Sequence, residues 1–546
     1  MVNNASAFEI LELVENGGVV PPGYTKITCH MIFDIKMDFT RKARFVAGGH
    51  LTDPPKESVY SSVVSRESVR LFFLIAALND LDVLSCDIQN AYLNAGTKEK
   101  NWFTAGLEFG AHNVGKPVLI VKALYGLRSS GAQWREHMAN TLRTAGFISC
   151  KADPDVWLRP AVKIDGTRYY EYVLCYVDDI LCGSEFPQKF MDYLATAYTL
   201  KKGSVKEPDL YLGADVKKFA IGINKYAWGV SSDTYVKSAV TEVERKLSET
   251  GKKLHTGKCA SPMTSGYRPE LDSTPELQPD LANYYQSLIG ALRWAIELGR
   301  VDIIVEVGML SRYCVSPRLG HLEQVLHIFA YLKRQSSCAM VFDPTEPEID
   351  ASLFQQKDWS TLYPDAKEAI PPNVPEARGK PVVTRCFVDA DHAGCLATRR
   401  STTGAIIYVN NAPIIWYSKR QNTVESSTFG SEYVALRQAI DLVEGLRYKL
   451  RMMGVELDES TAIYCDNEAV VRSTTAPEST LKKKHNAICY HRAREAQAAG
   501  HVRLGKILGT ENRADSFTKV LVGAHRKDLL QMIFLHPPGE GSFGVT

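Results

Sequence analysis

The spacing of apolar positions changes along the chain, and these changes divide it into four parts. Residues 1–220 alternate strand-like apolar runs with helical stretches, which predicts a mixed α/β region. Residues 221–342 place their apolar positions mostly at helical spacing, which predicts a helical module. Residues 343–380 are rich in proline and acid without a sustained period, which is typical of a linker. Residues 381–546 start a new unit with a strand.

Three local patterns refine this division. The stretch "ESVRLFFLIAAL" is apolar almost all round, which predicts a helix buried on several sides. A second helix, starting in "SSTFGSEYVAL", is long and is predicted to end at Gly454. In the linker, we expect one anchored segment around Trp359 and Tyr363.

Two adjacent acids interrupt an apolar run in "LCYVDDILCG", residues 174–183. A solvated turn between two strands would explain Asp178 and Asp179, but both flanks are apolar on both faces, so we predict the tip of a buried hairpin. Asp87 follows another apolar strand in "DVLSCDIQN". Three carboxylates on adjacent strand ends would suit Mg²⁺, and two such ions can clamp an in-line phosphoryl transfer.

A second acidic set occupies the last third of the chain. Asp389 lies at the end of an apolar strand in "CFVDADHAG", where a lone aspartate is usually a cap or turn residue. Glu432 opens the long helix, Asp466 ends the strand "AIYC", and Asp515 lies near a helix start in "ENRADSFTK". Four acids separated by whole structural elements are typical of a two-metal site.

Seven sequence blocks occur in the order found in copia-type retrotransposon (Pseudoviridae) Pol proteins, and the first part of the chain resembles their reverse transcriptase. The blocks are "KARFVAGGH", "CDIQNAYLNA", "LYGLRSSGAQW", "YVDDIL", "YLGADV", "YQSLIGALRWA" and "HLEQVLHIFAYLKR". The resemblance implies a right-hand polymerase fold, with fingers and palm in residues 1–220 and a helical thumb or connection in residues 221–342. It implies that Asp87 and Asp178 are the principal metal ligands and that Asp179 is the third catalytic acid.

The same resemblance suggests nucleotide-binding residues. Tyr92 follows Asp87 by five positions, where the family places an aromatic ring that excludes the ribose 2′-hydroxyl; core filling is the alternative. Lys42 and Arg44 alternate along a presumed finger strand that approaches the triphosphate in the family, and a solvated basic edge is the alternative. The "LYGL" block departs from the family pattern at Arg128 to Gly131, where glutamine and then proline are usual, which puts efficiency or fidelity in doubt.

Residues 381–546 resemble the ribonuclease H domain that follows reverse transcriptase in copia-type elements. The resemblance implies that Asp389, Glu432, Asp466 and Asp515 bind two Mg²⁺ ions and activate water against the RNA strand of an RNA–DNA hybrid. Asp391 would share the face of Asp389, but the family assigns the metal to the earlier position. Residues 343–380 would then be a proline- and acid-rich linker between the two parts.

Composition limits the other possibilities. The formal net charge is only +2, so any nucleic-acid contact must be local. The most basic stretch, residues 481–506, is either a solvated helical face or a phosphate contact, and His485, His491 and His501 are not expected to bind metal or catalyse. Twelve cysteines without a C-x-x-C pair predict reduced, buried thiols in an intracellular protein.

No membrane role is expected. The N-terminus has acids and no basic stretch ahead of an apolar block, which argues against a secretory signal. The longest purely apolar run, "LFFLIAAL", falls well short of the roughly 20 residues that a membrane span requires.

The sequence therefore predicts an α+β multidomain enzyme with two active sites. It would use Mg²⁺, two ions per site with Mn²⁺ as a substitute, and would act on an RNA template, DNA primer, dNTPs and RNA–DNA hybrid. We expect it to work with the rest of a Gag-Pol polyprotein in cytoplasmic virus-like particles before the DNA reaches the nucleus. A decayed relic serving as a nucleic-acid-binding or structural protein is the alternative; the ribonuclease H unit disfavours a group II intron maturase.

Overall fold

The chain forms two compact units in a computed structural model. The described residues are 6–12, 20–35, 41–52, 55, 59–223, 225–255, 257, 259–355, 357–457 and 459–534. The first unit comprises residues 1–65 and 82–207, and the second comprises residues 66–81 and 208–546. In the described part of the chain, no helix is both long and apolar enough to cross a lipid bilayer.

The strands and helices are numbered in chain order. The strands are β1 (Phe8–Ile10), β2 (Thr25–Lys26), β3 (Cys29–Ile35), β4 (Arg41–Ala47), β5 (Asp82–Asp87), β6 (Asn101–Thr104), β7 (Pro117–Ile120), β8 (Ile148–Ser149), β9 (Val156–Val162), β10 (Arg168–Tyr176), β11 (Asp179–Ser184), β12 (Leu210–Tyr211), β13 (Ala214–Gly222), β14 (Lys225–Ser231), β15 (Met340–Val341), β16 (Thr384–Asp391), β17 (Thr402–Val409), β18 (Ala412–Arg420), β19 (Thr461–Cys465) and β20 (Val502–Lys506). The α-helices are α1 (Arg66–Leu78), α2 (Ala91–Asn94), α3 (Ser130–Thr144), α4 (Pro187–Ala197), α5 (Asp233–Ser248), α6 (Pro279–Glu297), α7 (Ile304–Leu310), α8 (Leu319–Arg334), α9 (Thr428–Met452), α10 (Glu468–Thr475), α11 (Ala487–Ala498) and α12 (Gly523–Gln531).

The first unit is built on an antiparallel sheet in the order β5-β11-β10-β9-β8. Apolar side chains of α3 and α4, among them Trp134, Leu142 and Phe190, pack in one core with inward residues of this sheet such as Val173 and Ile180. The alternation of buried and outward residues along these strands follows from the twofold repeat of a strand. This rigid sheet carries the first acidic set.

A smaller part of the first unit contains the basic strand β4. It pairs antiparallel with β3, while a separate sheet runs in the order β1-β7-β6-β2. Phe8, Phe45 and Phe103 pack edge to face or tilted in a common core, with ring centroids 5.4 to 5.7 Å apart. Such aromatic pairs fix the orientation of β4 relative to the sheet because their geometry is specific.

Helix α1 is buried on nearly every side, as its sequence predicts, and every residue from Ser68 to Ala76 is buried. It packs against β14 and β18 in the second unit. Phe73 lies 5.4 Å from Trp228 and 6.3 Å from Phe342 between ring centroids. These two partners lie on or beside the sheet β12-β13-β14-β15. Its strands β14 and β15 fall in residues 221–342, where the helical spacing of apolar positions predicted a helical module.

The last part of the second unit is a five-stranded mixed sheet in the order β18-β17-β16-β19-β20. Strands β16, β17 and β18 are antiparallel, whereas β19 runs parallel to both β16 and β20. The long helix α9 packs on β16 and β17 and is followed by Gly454 in the left-handed conformation, with a φ of 73°. Glycine suits this position because it has no Cβ to clash.

The predicted linker is tied to this second unit at several places, among them the segment around Trp359 and the carboxylate of Glu368. Trp359 is buried, and the hydroxyl of Tyr363 lies 3.1 Å from His491 Nδ1. The carboxylate of Glu368 accepts hydrogen bonds of 2.8 Å from both Nε and a terminal nitrogen of Arg447 on α9. The anchored segment lies where the sequence placed it.

The predicted α+β multidomain fold class is confirmed, while the four domain boundaries remain a prediction. All twelve cysteines are free, and most are buried, as expected for reduced thiols.

Candidate active sites

The first acidic set begins at the tip of the β10–β11 hairpin. Tyr176 pairs with Asp179 across the hairpin, which leaves Val177 and Asp178 as the two turn residues. Val177 has a φ of 59°, a conformation that a β-branched residue adopts only under strain. The indole nitrogen of Trp134 donates a 2.7 Å hydrogen bond to the Val177 carbonyl oxygen, which holds the turn against α3.

Strand β5 brings the third acid to this turn. Asp87 is the direct cross-strand partner of Asp179 in the antiparallel pair of β5 and β11. The backbone nitrogen of Ile88 donates a 2.9 Å hydrogen bond to the Asp178 carbonyl oxygen. The three predicted acids therefore emerge at one edge of the sheet, as the sequence-based hypothesis requires.

Burial and mutual repulsion affect these acids. Burial, followed by the charges of Asp178 and Asp87, raises the pKa of Asp179 to about 6. Burial also raises the pKa of Asp178, and Lys42 and Lys201 oppose that shift. A carboxylate with such neighbours favours a proton or a cation.

A lysine that the sequence analysis missed lies at this site. Lys201 Nζ is 3.0 Å from Asp87 Oδ2, and its backbone nitrogen donates to the Asp87 carbonyl oxygen at 2.9 Å. Two groups of three metal-ligating atoms lie within 4.8 Å of one another in the described residues, and both are in the second unit. The carboxylate oxygens of Asp87, Asp178 and Asp179 do not form such a group, so they are more widely spaced. The ion pair with Lys201 gives Asp87 a cationic partner.

The predicted nucleotide-binding residues lie around these acids. The Tyr92 ring packs 4.8 Å from that of Tyr125, and burial followed by the charge of Asp178 raises the pKa of both hydroxyls. Lys42 and Arg44 occupy alternate positions of β4 and so share one face. The Arg44 guanidinium is 4.0 Å from Asp34 on the paired strand β3, a contact of a partly exposed pair.

The departure from the family pattern at residues 128–131 has a structural counterpart. Arg128 donates to the carbonyl oxygens of Gly49 and His50 at 2.9 and 3.0 Å. Ser129 donates to Glu99 Oε1 through its backbone nitrogen at 2.8 Å and through its hydroxyl. These hydrogen bonds hold the loop before α3 in place, and none of them involves an acid of the site.

The second acidic set lies on the mixed sheet. Asp389 is in β16, two residues before the end of that strand, Asp466 directly follows β19, and Glu432 is in the first turns of α9. Asp515 lies in a short 3₁₀ helix, residues 513–517. Asp389, Asp466 and Asp515 each offer an oxygen within 4.8 Å of the others, so three of the four predicted acids meet closely.

Close packing brings the Asp515 turn onto the sheet. Gly404 of β17 pairs with Asp389, and a Cβ at Gly404 would lie 2.6 Å from Thr518 Cγ2 and 2.9 Å from the Ala514 carbonyl oxygen. Any larger residue would push the turn away. Asn512 Nδ2 donates to the Val388 carbonyl oxygen at 3.0 Å, which ties the same turn to β16.

The fourth acid, Glu432, is the most strongly perturbed. Its side chain is only 7% exposed, and its Oε2 has no hydrogen-bond partner among the described residues. Burial, followed by Asp389 and Asp466, raises its pKa to about 9. Burial and Asp389 similarly raise the pKa of Asp515 to about 6.

One cation of the chain lies among these acids and was missed from the sequence. Lys519 Nζ is 2.7 Å from Asp515 Oδ1 and 3.2 Å from Asp389 Oδ2. Its position four residues after Asp515 is the only sequence signal that would have indicated it. His525 Nε2 lies 3.5 Å from Asp515 Oδ2 and was not singled out from the sequence either.

Other candidates in this unit have structural partners. Asp391 accepts a hydrogen bond from the Thr402 backbone nitrogen and belongs to neither close group in the described residues. His501 Nδ1 is 2.5 Å from Glu444 Oε1. In the basic stretch, Arg494 donates to the carbonyl oxygens of Ala476 and Pro477, and Arg503 pairs with Glu459 at 2.6 Å. Part of the stretch is therefore structural.

Both sites suit a hard divalent cation. Their ligands are carboxylate oxygens, which Mg²⁺ and Mn²⁺ prefer. In the second site, the partnerless buried oxygen of Glu432 and the raised pKa values show that the acids lack enough positive charge around them. The clusters are therefore candidate divalent-metal sites.

An acid-tipped antiparallel hairpin in one unit and converging acids on a mixed sheet in the other agree with the predicted class of protein, a reverse transcriptase joined to a ribonuclease H-like domain. Residues 9–248 match the family described as "Reverse transcriptase (RNA-dependent DNA polymerase)". This match confirms a reverse transcriptase domain in that part of the chain.

Curated relatives extend the similarity over nearly the whole sequence. The chain is 25% identical over 534 residues to the "Retrovirus-related Pol polyprotein from transposon RE1" of Arabidopsis thaliana, covering 95% of this chain and 32% of the relative. It is 24% identical over 517 residues to the corresponding polyprotein "from transposon TNT 1-94" of Nicotiana tabacum, covering 92% and 35%. The chain thus spans about a third of these relatives.

These matches confirm the resemblance to copia-type Pol proteins that the sequence blocks indicated. Among solved structures, a "foamy viral protease-reverse transcriptase in complex with RNA/DNA hybrid" covers 88% of this chain and 50% of its own, at 13% identity and a TM-score of 0.40.

Proposed function

We propose that the chain is an RNA-directed DNA polymerase with a second site that cleaves the RNA strand of RNA–DNA hybrids. One observation carries the proposal: acids far apart in sequence converge in each unit, Asp87 beside Asp179 in the first and Asp389 with Asp466 and Asp515 in the second. Copying RNA leaves a hybrid, and a linked nuclease removes its RNA strand, so the two activities form one sequence of reactions.

In the polymerase site, Asp87, Asp178 and Asp179 would hold Mg²⁺, with Mn²⁺ as a substitute. The ions, two per site, would neutralise the phosphates and polarise the attacking and leaving oxygens. Lys42 and Arg44 would contact the dNTP triphosphate from one face of β4, since a guanidinium matches phosphate geometry. Tyr92, braced by Tyr125, would exclude a 2′-hydroxyl.

In the nuclease site, Asp389, Glu432, Asp466 and Asp515 would hold the same kind of ions. Lys519 would keep Asp389 and Asp515 close together when no ion is bound, because its ammonium contacts both. The buried Glu432 carboxyl would hold a proton under those conditions, since its pKa is raised to about 9. Both features would keep the site assembled before substrate arrives.

The proposed partners follow from this chemistry. They are an RNA template, a DNA primer, dNTPs and the hybrid product, with the remainder of a Gag-Pol polyprotein. We place the activity in cytoplasmic virus-like particles. The competing candidate is a catalytically inactive relic that binds nucleic acid or has a structural role. All seven acids remain in the chain, which favours activity.

The test is an RNA-templated primer-extension assay and a hybrid-cleavage assay, each in Mg²⁺. Asp178→Asn should abolish extension and leave cleavage, whereas Asp466→Asn should abolish cleavage and leave extension. Each variant is thus the other's control for folding. No activity in the wild type would support the relic instead. Activities equal to an active wild type in both variants would show that these acids do not carry the proposed chemistry.

A further inference from the structure

A thiol lies beside the second acidic set. Cys465 is the last residue of β19, is fully buried and directly precedes Asp466. Its Sγ, one carboxylate oxygen of Glu432 and one of Asp466 all lie within 4.8 Å of one another. This group is distinct from the group of Asp389, Asp466 and Asp515, although the two share Asp466.

The Glu432 carboxylate gives an independent indication of a ligand. It is more than nine-tenths buried, and its Oε2 has no hydrogen-bond partner among the described residues. A buried polar atom without a partner is unfavourable, because it has given up its hydrogen bonds to water. A cation bound between Glu432, Cys465 and Asp466 would supply the missing partner of this oxygen. A thiol and two acids that were neighbours only by chance would not need such a partner.

The ligand set determines which cation fits. Mg²⁺ takes oxygen ligands, whereas a thiolate favours softer ions such as Zn²⁺. In the tetrahedral geometry of Zn²⁺, bonds of about 2.3 Å to sulfur and about 2.0–2.2 Å to oxygen place two ligand atoms roughly 3.3–3.7 Å apart. The three atoms of the group lie within 4.8 Å of one another, so side-chain movements of about 1 Å would bring them to these separations.

We propose that Glu432, Cys465 and Asp466 form a sulfur-containing site for thiophilic divalent cations, such as Zn²⁺. On binding, a metal–sulfur bond replaces the S–H bond, and the thiol proton passes to solvent. Because this ion occupies two acids of the hydrolytic site, it excludes Mg²⁺ from them and inhibits hybrid cleavage. The inhibition rests on the proposed function, whereas the binding of the ion does not.

The chain provides a matched control. Cys386 lies on β16, next to β19 in the same sheet, and is also fully buried. It belongs to neither close group of metal-ligating atoms in the described residues, and its Sγ lies 3.6 Å from the Phe387 carbonyl oxygen. Cys386→Ala therefore removes an equally buried thiol from the same sheet without touching the proposed ligands.

The experiment uses the full chain freed of metal and titrated with Co²⁺, whose thiolate complexes absorb in the near ultraviolet by charge transfer. In wild type and Cys386→Ala, we expect this absorption to rise until one Co²⁺ ion is bound per chain. In Cys465→Ala, we expect it to be absent. Cys465→Ser, which keeps a polar atom but no sulfur, should also lack it and covers the case in which the alanine variant does not fold. No such band in wild type, or an equal band in Cys465→Ala, would overturn the site.

A second measurement tests the consequence. Zn²⁺ is titrated into hybrid cleavage and primer extension, both in Mg²⁺. The Zn²⁺ concentration that halves cleavage should rise more than about tenfold in Cys465→Ala relative to Cys386→Ala, since losing even an outer-shell partner weakens metal binding that much. Equal inhibition of the two variants would overturn the inhibitory role. Absence of cleavage in wild type would contradict the proposed function, while the cobalt spectrum would still decide the site.

Discussion

The indole nitrogen of Trp134 donates a 2.7 Å hydrogen bond to the carbonyl oxygen of Val177. Val177 has a φ of 59° and directly precedes Asp178, so this bond stabilises a strained turn that positions a proposed metal ligand. Trp134 is buried in the core between the sheet and α3. The packing of the core therefore determines where the turn holds Asp178.

We predict that Trp134→Phe lowers kcat of primer extension by about 10- to 100-fold, because small displacements of a catalytic group have effects of that size. The KM for dNTP should change less. The control is Trp157→Phe, which alters a buried indole of the same core that is not the donor to Val177. Equal losses of kcat in both variants would contradict the positioning role of Trp134.

Tyr92 offers a test of sugar selection. Tyr92→Ala should lower the preference for deoxyribonucleotides over ribonucleotides by at least ~10-fold in kcat/KM, because it removes the ring that would meet the 2′-hydroxyl. Tyr92→Phe keeps the ring and its packing against Tyr125, and should keep the preference. Unchanged selection in Tyr92→Ala would assign the ring to core filling.

Lys519 should stabilise the metal-free nuclease site. Lys519→Met leaves Asp389 and Asp515 without their cation, and after discounting for the 42% exposure of the lysine we expect a loss of about 1–2 kcal/mol. Thermal melting in EDTA measures this loss, and added Mg²⁺ should raise the melting temperature of the variant more than that of wild type.

The exposed Lys482→Met is the control for Lys519→Met, because its removal changes the net charge equally. Identical melting behaviour of the two variants, with and without Mg²⁺, would contradict the stabilising role of Lys519.

The stability of the metal-free protein should fall as the pH rises. The pKa of Glu432 is about 9 in the folded protein, against roughly 4.3 in an unfolded chain, so between these values the folded state holds a proton that the unfolded state has lost. Stability contributed by this proton is complete below the lower value and is lost as the pH approaches 9, with a slope of at most about 1.4 kcal/mol per pH unit.

Melting temperatures in EDTA across this pH range measure the slope. Glu432→Gln should flatten it, because the amide does not titrate. Glu444→Gln on the same helix is the control: burial opposes it, but His501 and Arg492 hold the pKa of Glu444 below its usual value, so this variant should not flatten the slope. An unchanged slope in Glu432→Gln would show that the proton is held elsewhere.

The sequence by itself determined several of the elements and all seven of the proposed acids. The apolar run around Asp178 and Asp179 indicates a buried hairpin, and the apolar residues of α1 indicate a buried helix, because strand and helix periods are local properties of the chain. The acids stand out in such runs because a buried charge needs a partner.

Only the tertiary structure decided which groups surround these acids. Lys201 meets Asp87, and Cys465 meets Glu432, across long separations in sequence, and no local period reports such contacts. The same holds for Trp134 and Val177, whose hydrogen bond depends on how α3 packs on the sheet. Contacts of this kind result from the packing of whole elements. The pattern along the chain therefore indicated which acids are candidates, and the fold determined which groups lie next to them.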